Sequence, residues 1–218
     1  MPVTVLDTSL RFPDPRLANP KGLVAIGGDM SVERLLLAYR SGVFPWTVSP
    51  VSWWSPDPRA VLEPDELHVP ESLKKILRKN IFEISIDRAF PQVIQNCAAR
   101  APGRQDTWIT AEFIEAYSRL HQQGHAHSLE CWQDGELAGG IYGVAIGGFF
   151  AGESMFHRVS NASKVALFHL AAHLQKRKFA LLDIQMLTPV TKQMGGKTIS
   201  RLNYLERLER AVELRCEF

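Results

Sequence analysis

The sequence predicts an α+β fold, with a small N-terminal α/β domain over residues 1–62 and a larger mixed domain over residues 63–218. Three observations lead there. Helix-period and strand-period segments follow one another in mixed order without any internal repeat, which suits a sheet with helices on both faces. Three strand patterns follow one another between about residues 126 and 157, separated by the turn pairs Asp134-Gly135 and Gly147-Gly148, as in an antiparallel meander. The composition also changes near residues 60–70, after the segment FPWTVSPVSWWSPDPR, which holds three of the five tryptophans among four prolines.

Each element has its own local signal. Residues 1 to about 25 read as irregular around Pro13, Pro15 and Pro20. Ser31 is a helix N-cap, VERLLLAYRS carries the helix, and Gly42 supplies its left-handed stop. The Trp/Pro segment reads as neither helix nor strand, because proline cannot donate to a ladder; it is either a core plug or the lining of a site for something flat. PESLKKILRKN is a short helix with Leu73, Ile76 and Leu77 on one face. IFEISID alternates as a half-buried strand, and Asp87 caps a helix through Phe90, Val93, Ile94 and Cys97. APGRQDT is a loop. Thr110 caps a helix striped by Phe113, Ile114, Tyr117 and Leu120, which Gly124 ends. After the meander, Asn161 or Ser163 opens a helix, FALLDIQML is a strand, and Ser200 starts a final helix. The larger domain thus runs strand, helix, helix, meander, helix, strand, helix. That order is close to the GNAT-like acyltransferase fold, in which the acyl donor lies where two central strands separate.

Asp183 and Gln185 interrupt an otherwise apolar strand and, two residues apart, share one face. A buried carboxylate needs hydrogen-bond partners, so Asp183 either belongs to a structural network, or orients the Gln185 amide, or itself steers an incoming amine. Glu153, in GESMF, is either a surface ion pair or a charge partner for a cationic substrate. Lys74, Lys75, Arg78 and Lys79 cover a solvated helix face or contact nucleic-acid phosphates. His121, His125 and His127 have no carboxylate at zinc-site spacing, so no metal is expected. No serine sits in a G-x-S-x-G elbow and no cysteine has a motif histidine, so a covalent acyl-enzyme is not supported. GKTIS is not a phosphate loop, because Thr191 stands where its first glycine belongs. The net charge of +2, the three cysteines Cys97, Cys131 and Cys216 without ligand spacing, and the lack of any long apolar run or secretory leader point to a reduced, cytoplasmic protein.

GLVAIGGDMS, LLLAYRSGVFPW, WWSPDPRAVL, TWIT, GHAHSLE, GGIYGVAIGGFFAGESMF, NASKVAL and LLDIQ together resemble the leucyl/phenylalanyl-tRNA–protein transferase family, from about Gly22 to about Gly196. The resemblance implies an aminoacyltransferase with a small N-terminal domain and a GNAT-like C-terminal domain, using neither metal nor nucleotide cofactor. Its donors are leucyl-tRNA and phenylalanyl-tRNA, with methionine less readily used. Its acceptors are proteins with N-terminal Arg or Lys, which it marks for N-end rule degradation. Asp183 and Gln185 match the family's catalytic pair and Glu153 its GESMF acid. Ile141, Met155, Leu167, Leu170 and Leu182 are expected around the aminoacyl side chain. Tyr39, Trp46, Trp108 and Tyr117 match aromatics near the terminal adenosine, leaving Trp53 and Trp54 as anchors. The basic residues 74, 75, 78 and 79 match the cluster used for the tRNA body. Val190 stands where members commonly have histidine, Ile141 where a methionine can occur, and the tail ends at Phe218 without the contacts of longer members. Nothing demands more than a monomer.

Three other readings stand beside this one. An acetyl-CoA-dependent acetyltransferase needs a glycine-rich pyrophosphate loop, and ESMFHRVSNASKVAL contains no glycine. An RNA-binding module leaves Asp183, Gln185 and Glu153 without a task. A tRNA-dependent transferase acting on cell-wall peptides differs only in its acceptor.

Overall fold

The computed structural model describes residues 3–99 and 107–218. The expected α+β class is what it contains. A four-stranded sheet in the order β1-β2-β4-β3 is built from Thr4–Leu6, Leu23–Gly27, Phe44–Val48 and Val51–Trp54. Helix α1, Val32–Arg40, lies between β2 and β3, capped by Ser31, whose hydroxyl accepts from the Arg34 N–H. A second sheet has seven strands.

Two expectations for the N-terminal part are corrected. Residues 1–25 contain β1 and half of the β2 strand, which are too short and too proline-flanked to show a period. The Trp/Pro segment is a β-hairpin. Its prolines fit because Pro45 lies on the edge strand β3, at a bulge opposite Trp53, and Pro50 lies in the connecting turn. Trp53 is fully enclosed, donating from Nε1 to the Gly27 carbonyl at 2.9 Å and meeting Phe12 edge-on.

In the large sheet, β5 (Arg59–Leu62) pairs antiparallel with β10 (Leu181–Gln185) and with β11 (Lys197–Ile199). This strand precedes the expected boundary at residue 62. β10 in turn runs parallel to β9 (Phe149–His157), and β8 (Glu136–Ile146), β7 (Ala126–Gln133) and β6 (Glu83–Ile86) complete the sheet antiparallel. Alternate residues serve opposite faces. Tyr142, Phe149 and Leu181 join one core with α3 (Phe90–Ala98), α4 (Ala111–Gln122) and the small sheet; Ile141, Phe150 and Leu182 join the other with α5 (Ala162–Lys176). The first core runs from Val24 and Trp53 through Phe90 and Tyr117 to Tyr204, so the small sheet and the large one share it.

Helix α2, Glu71–Lys79, ends on left-handed Asn80. The expected cap at Asp87 is not formed: Asp87 accepts instead from the Ser128 N–H and pairs with His127, and Ala89 holds the N-cap position of α3. Thr110 stands at the start of α4 but donates to Glu112 rather than capping the backbone. The APGRQDT loop lies outside the described residues apart from Thr107. Helix α6, Pro189–Gln193, is closed by a Thr188/Thr191 capping box that the sequence reading missed, and α7, Arg201–Val212, starts at Ser200 as expected. Among the described residues no helix is long and apolar enough to cross a membrane.

Candidate active site

β9 and β10 pair in parallel only as far as Ala151 and Asp183. Beyond that rung both strands are bulged. Against β8, Tyr142 pairs with Ser154 and Gly143 with Gly152, leaving Glu153 as the extra residue. Against β5, Asp183 pairs with Val61 and Gln185 with Ala60, leaving Ile184 extra. A bulge re-aims side chains and unpairs the ladder. Here two bulges at neighbouring positions open the sheet and turn Glu153 and Gln185 toward one another. Gln185 adopts φ +50°, an uncommon conformation for a residue with a Cβ. Gly143 allows the β8–β9 distortion: a Cβ there would lie 2.2 Å from the Ala151 carbonyl oxygen.

The Gln185 side chain donates from Nε2 to Glu153 Oε1 at 3.1 Å. This leaves the amide oxygen as the end able to accept a hydrogen bond. Glu153 Oε2 accepts from the Tyr117 hydroxyl at 3.2 Å, and Tyr117 is hydrogen-bonded to Tyr39. Burial raises the Glu153 carboxyl to about 7, reinforced by the nearby Asp183 charge and opposed by the two tyrosine hydroxyls and Arg59. Burial, followed by the Glu153 charge, lifts both tyrosines well above their ordinary range, so they stay protonated donors.

Asp183 is completely enclosed. Its Oδ1 accepts from Arg59 Nε at 2.9 Å and the Gln185 N–H at 2.9 Å; its Oδ2 accepts from Arg59 Nη2 at 2.6 Å and the Tyr204 hydroxyl at 2.9 Å. Burial works against the Arg59 charge, but Asp183 and Tyr204 outweigh it and hold the guanidinium above the usual arginine value.

Two cavities meet at this pair. One, of about 590 Å3, is walled by Ile141, Met155, Leu167, Leu182, Ile184 and Val190. The other is a cleft of about 100 Å3 between Phe44, Pro45, Trp46 and Trp108. Glu153, Gln185 and Met186 line both. The larger cavity is mainly apolar with a polar pair at its mouth, the usual build of a small-molecule site. A separate groove of about 490 Å3 between Phe12–Arg16 and α7 shares no residue with it.

The profile of the family described as "Leucyl/phenylalanyl-tRNA protein transferase" matches residues 61–209, and that of its N-terminal domain matches residues 28–57. A leucyl/phenylalanyl-tRNA–protein transferase of Syntrophobacter fumaroxidans is 53% identical over 211 residues, covering 95% of this chain and 90% of its own. One from Anaeromyxobacter dehalogenans strain 2CP-C is 50% identical over 216 residues, covering 98% and 93%. The chain belongs to this family. Among solved structures, a GCN5-related N-acetyltransferase from Kribbella flavida aligns with a TM-score of 0.38 at 11% identity, over 76% of this chain and 60% of its own. L-PGS from Bacillus licheniformis aligns with a TM-score of 0.45 at 10% identity, over 77% and 54%.

For this transferase-family chain, the structure separates the expected residues by where it places them. Asp183, Gln185 and Glu153 are brought together, and Ile141, Met155, Leu167 and Leu182 line the apolar cavity. Trp46 and Trp108 both line the smaller cleft. Leu170 does not line the cavity; it is enclosed in the core beside α5. Tyr39 and Tyr117 are likewise corrected: both rings are enclosed and present no face to a base, and their hydroxyls serve Glu153 instead. Lys74, Lys75, Arg78 and Lys79 are all exposed on α2, with Lys74 paired to Glu71 at 2.7 Å. The sequence reading missed Arg59, Tyr204, Met186 and Thr191, and singled out Val190 without placing it on the cavity wall. The buried Asp183 was the available signal for the first, since it calls for a cation and Arg59 opens an apolar strand.

Proposed function

We propose that the protein transfers leucine or phenylalanine, and methionine less readily, from aminoacyl-tRNA to the α-amine of proteins beginning with Arg or Lys. The reading rests most on one observation: the hydrogen-bonded Glu153–Gln185 pair forms the shared wall of an apolar cavity and an indole-lined cleft. An aminoacyl ester has that layout, an apolar side chain on one side of the reacting carbonyl and a nucleoside on the other. In this reading the donor side chain enters the cavity, and the terminal adenosine enters between Trp46 and Trp108. Lys75, Arg78 and Lys79 meet the tRNA backbone.

The ester is already activated, so the protein supplies placement and proton handling. The Gln185 amide oxygen accepts from the incoming amine and aims it at the ester carbon. As the N–C bond forms, an amine proton passes to the Glu153 carboxylate; as the C–O bond breaks, that proton moves to the departing ribose oxygen. A carboxyl near 7 suits both steps at neutral pH. Asp183 touches neither reactant and positions Gln185. The product carries a new N-terminal Leu or Phe, the mark read by the N-end rule, and the protein acts as a cytoplasmic monomer.

Mixing the protein with leucyl-tRNA and two peptides that differ only in N-terminal Arg or Ala, then reading masses, tests the proposal. Leucine is expected on the Arg peptide alone. No addition, or equal addition to both, overturns it.

A further inference from the structure

Arg59 is the residue that the proposed mechanism does not use and the structure treats with most care. Its side chain is 1% exposed and stands against a carboxylate that is 0% exposed. A charged pair so enclosed loses its hydration, and tolerates that only with good geometry and complete hydrogen bonding. Both conditions are met. The guanidinium binds Asp183 side-on through Nε and Nη2. Its faces lie against the Phe44 ring at 4.6 Å and the Tyr204 ring at 4.5 Å. Its remaining edge points Nη1 at the Gly42 carbonyl, 3.4 Å away.

These contacts reach two different parts of the site. Through Asp183, Arg59 fixes the Gln185 N–H and with it the left-handed turn that presents the Gln185 amide. Through Gly42 and Phe44, it fixes the start of the β3 strand, two residues before Trp46. No larger residue fits at Gly42: at φ +76° a Cβ would sit 2.4 Å from Leu205. Asp183 has no spare acceptor either. A carboxylate offers about four lone-pair sites, and four donors from Arg59, Tyr204 and Gln185 already fill them.

We propose that Arg59 is a positioning residue for the transfer reaction, clamping the Gln185 turn and the Trp46 hairpin in one fixed relation through Asp183, Gly42 and Phe44. The inference rests on the reading above that Gln185 handles the amine. Lysine cannot replace it, because a point-charge ammonium on a flexible stem lacks the fork that holds Asp183 at both oxygens.

A kinetic double-mutant cycle tests this, with leucine transfer to an Arg-initiated peptide as the readout. Arg59→Lys is expected to lower kcat at least 30-fold. In a Gln185→Ala background, the same change is expected to lower kcat less than 3-fold, because the amide it positions for the chemical step is gone, while KM for leucyl-tRNA still rises through the released Trp46 hairpin. A role confined to stability would lower both backgrounds by the same factor, and that outcome overturns the proposal, as does wild-type kcat in Arg59→Lys. If Arg59→Lys does not fold, Tyr204→Phe takes its place in the same cycle. It removes one donor from Asp183 without a charge, and a 3- to 10-fold loss that vanishes with Gln185→Ala is expected; equal losses again overturn the clamp. Failure of the unmodified protein to transfer leucine refutes the functional reading instead, so the two are told apart.

Discussion

Replacing Glu153 by Gln removes a carboxyl that burial has raised from 4.5 to about 7. The folded protein then holds that proton more tightly than the unfolded chain does. Between about pH 4.5 and pH 7 the unfolded state releases its proton first, so stability falls as pH rises through this window and levels off above it. At 1.36 kcal/mol per pKa unit, the full penalty at pH 8 is about 3 kcal/mol. Part of the side chain faces the open cavity, so water screening brings the expected figure to about 1–3 kcal/mol. Gln does not titrate, and its amide oxygen can still accept from Gln185. The variant is therefore expected to match the wild type near pH 5 within about 0.5 kcal/mol and to exceed it at pH 8 by about 2 kcal/mol, or roughly 4–8 °C in Tm for a chain of this size. Urea unfolding at both pH values measures this. Activity should move the other way: wild-type kcat/KM rises with pH through about 7, and Glu153→Gln loses both the activity and that limb. A variant whose stability relative to wild type is the same at pH 5 and pH 8 would refute the burial argument.

Gln185→Ala is expected to lower kcat about 100-fold while KM for leucyl-tRNA changes little, measured under saturating peptide; an equal rise in KM would make Gln185 a binding residue. Trp46→Ala should cost about 1–3 kcal/mol of tRNA affinity through lost stacking, read as a higher Kd for leucyl-tRNA with native-like circular dichroism. Unchanged affinity would remove Trp46 from the adenosine site. Replacing Lys75, Arg78 and Lys79 by Ala should weaken tRNA binding for all sequences and flatten the slope of log K against log salt by about 0.7–0.9 per lost phosphate contact. An unaltered slope would return α2 to the role of a solvated surface.

Much of the fold was legible because its signals are local. Ser31, Ser200, Gly124 and the Asp134-Gly135 turn each act within a few residues, and the meander alternates cleanly. Residues whose job depends on distant partners were harder. Asp87 looked like a cap because it precedes a helix, yet its partners are His127 and Ser128 on β7. The prolines of the Trp segment spoke against a strand, and only the sheet order, which puts β3 at an edge, shows why Pro45 is harmless. Glu153, Gln185 and Asp183 stood out as polar residues in apolar strands. Tyr39 and Tyr117 were expected to meet a base, yet their rings are enclosed behind Glu153, since no local pattern says whether an aromatic faces a cavity or lies behind a carboxylate. Arg59 needed a contact across 124 positions of sequence.

The paired bulges at Glu153 and Ile184 also bear on how such a site can be made or lost. Each adds one residue to a strand whose neighbours keep their count. Substitution alone cannot restore the plain sheet, because any residue at 153 or 184 still leaves its strand one unit too long. Deleting either residue would take the bulge out of its strand while the later residues keep their partners and faces, drawing the ladder on past Ala151 and Asp183 and narrowing the gap between β9 and β10. The reactive geometry is thus stored in chain length as much as in chemistry. A relative with the acid and the amide intact but one residue fewer in either strand should keep the fold and lack the site.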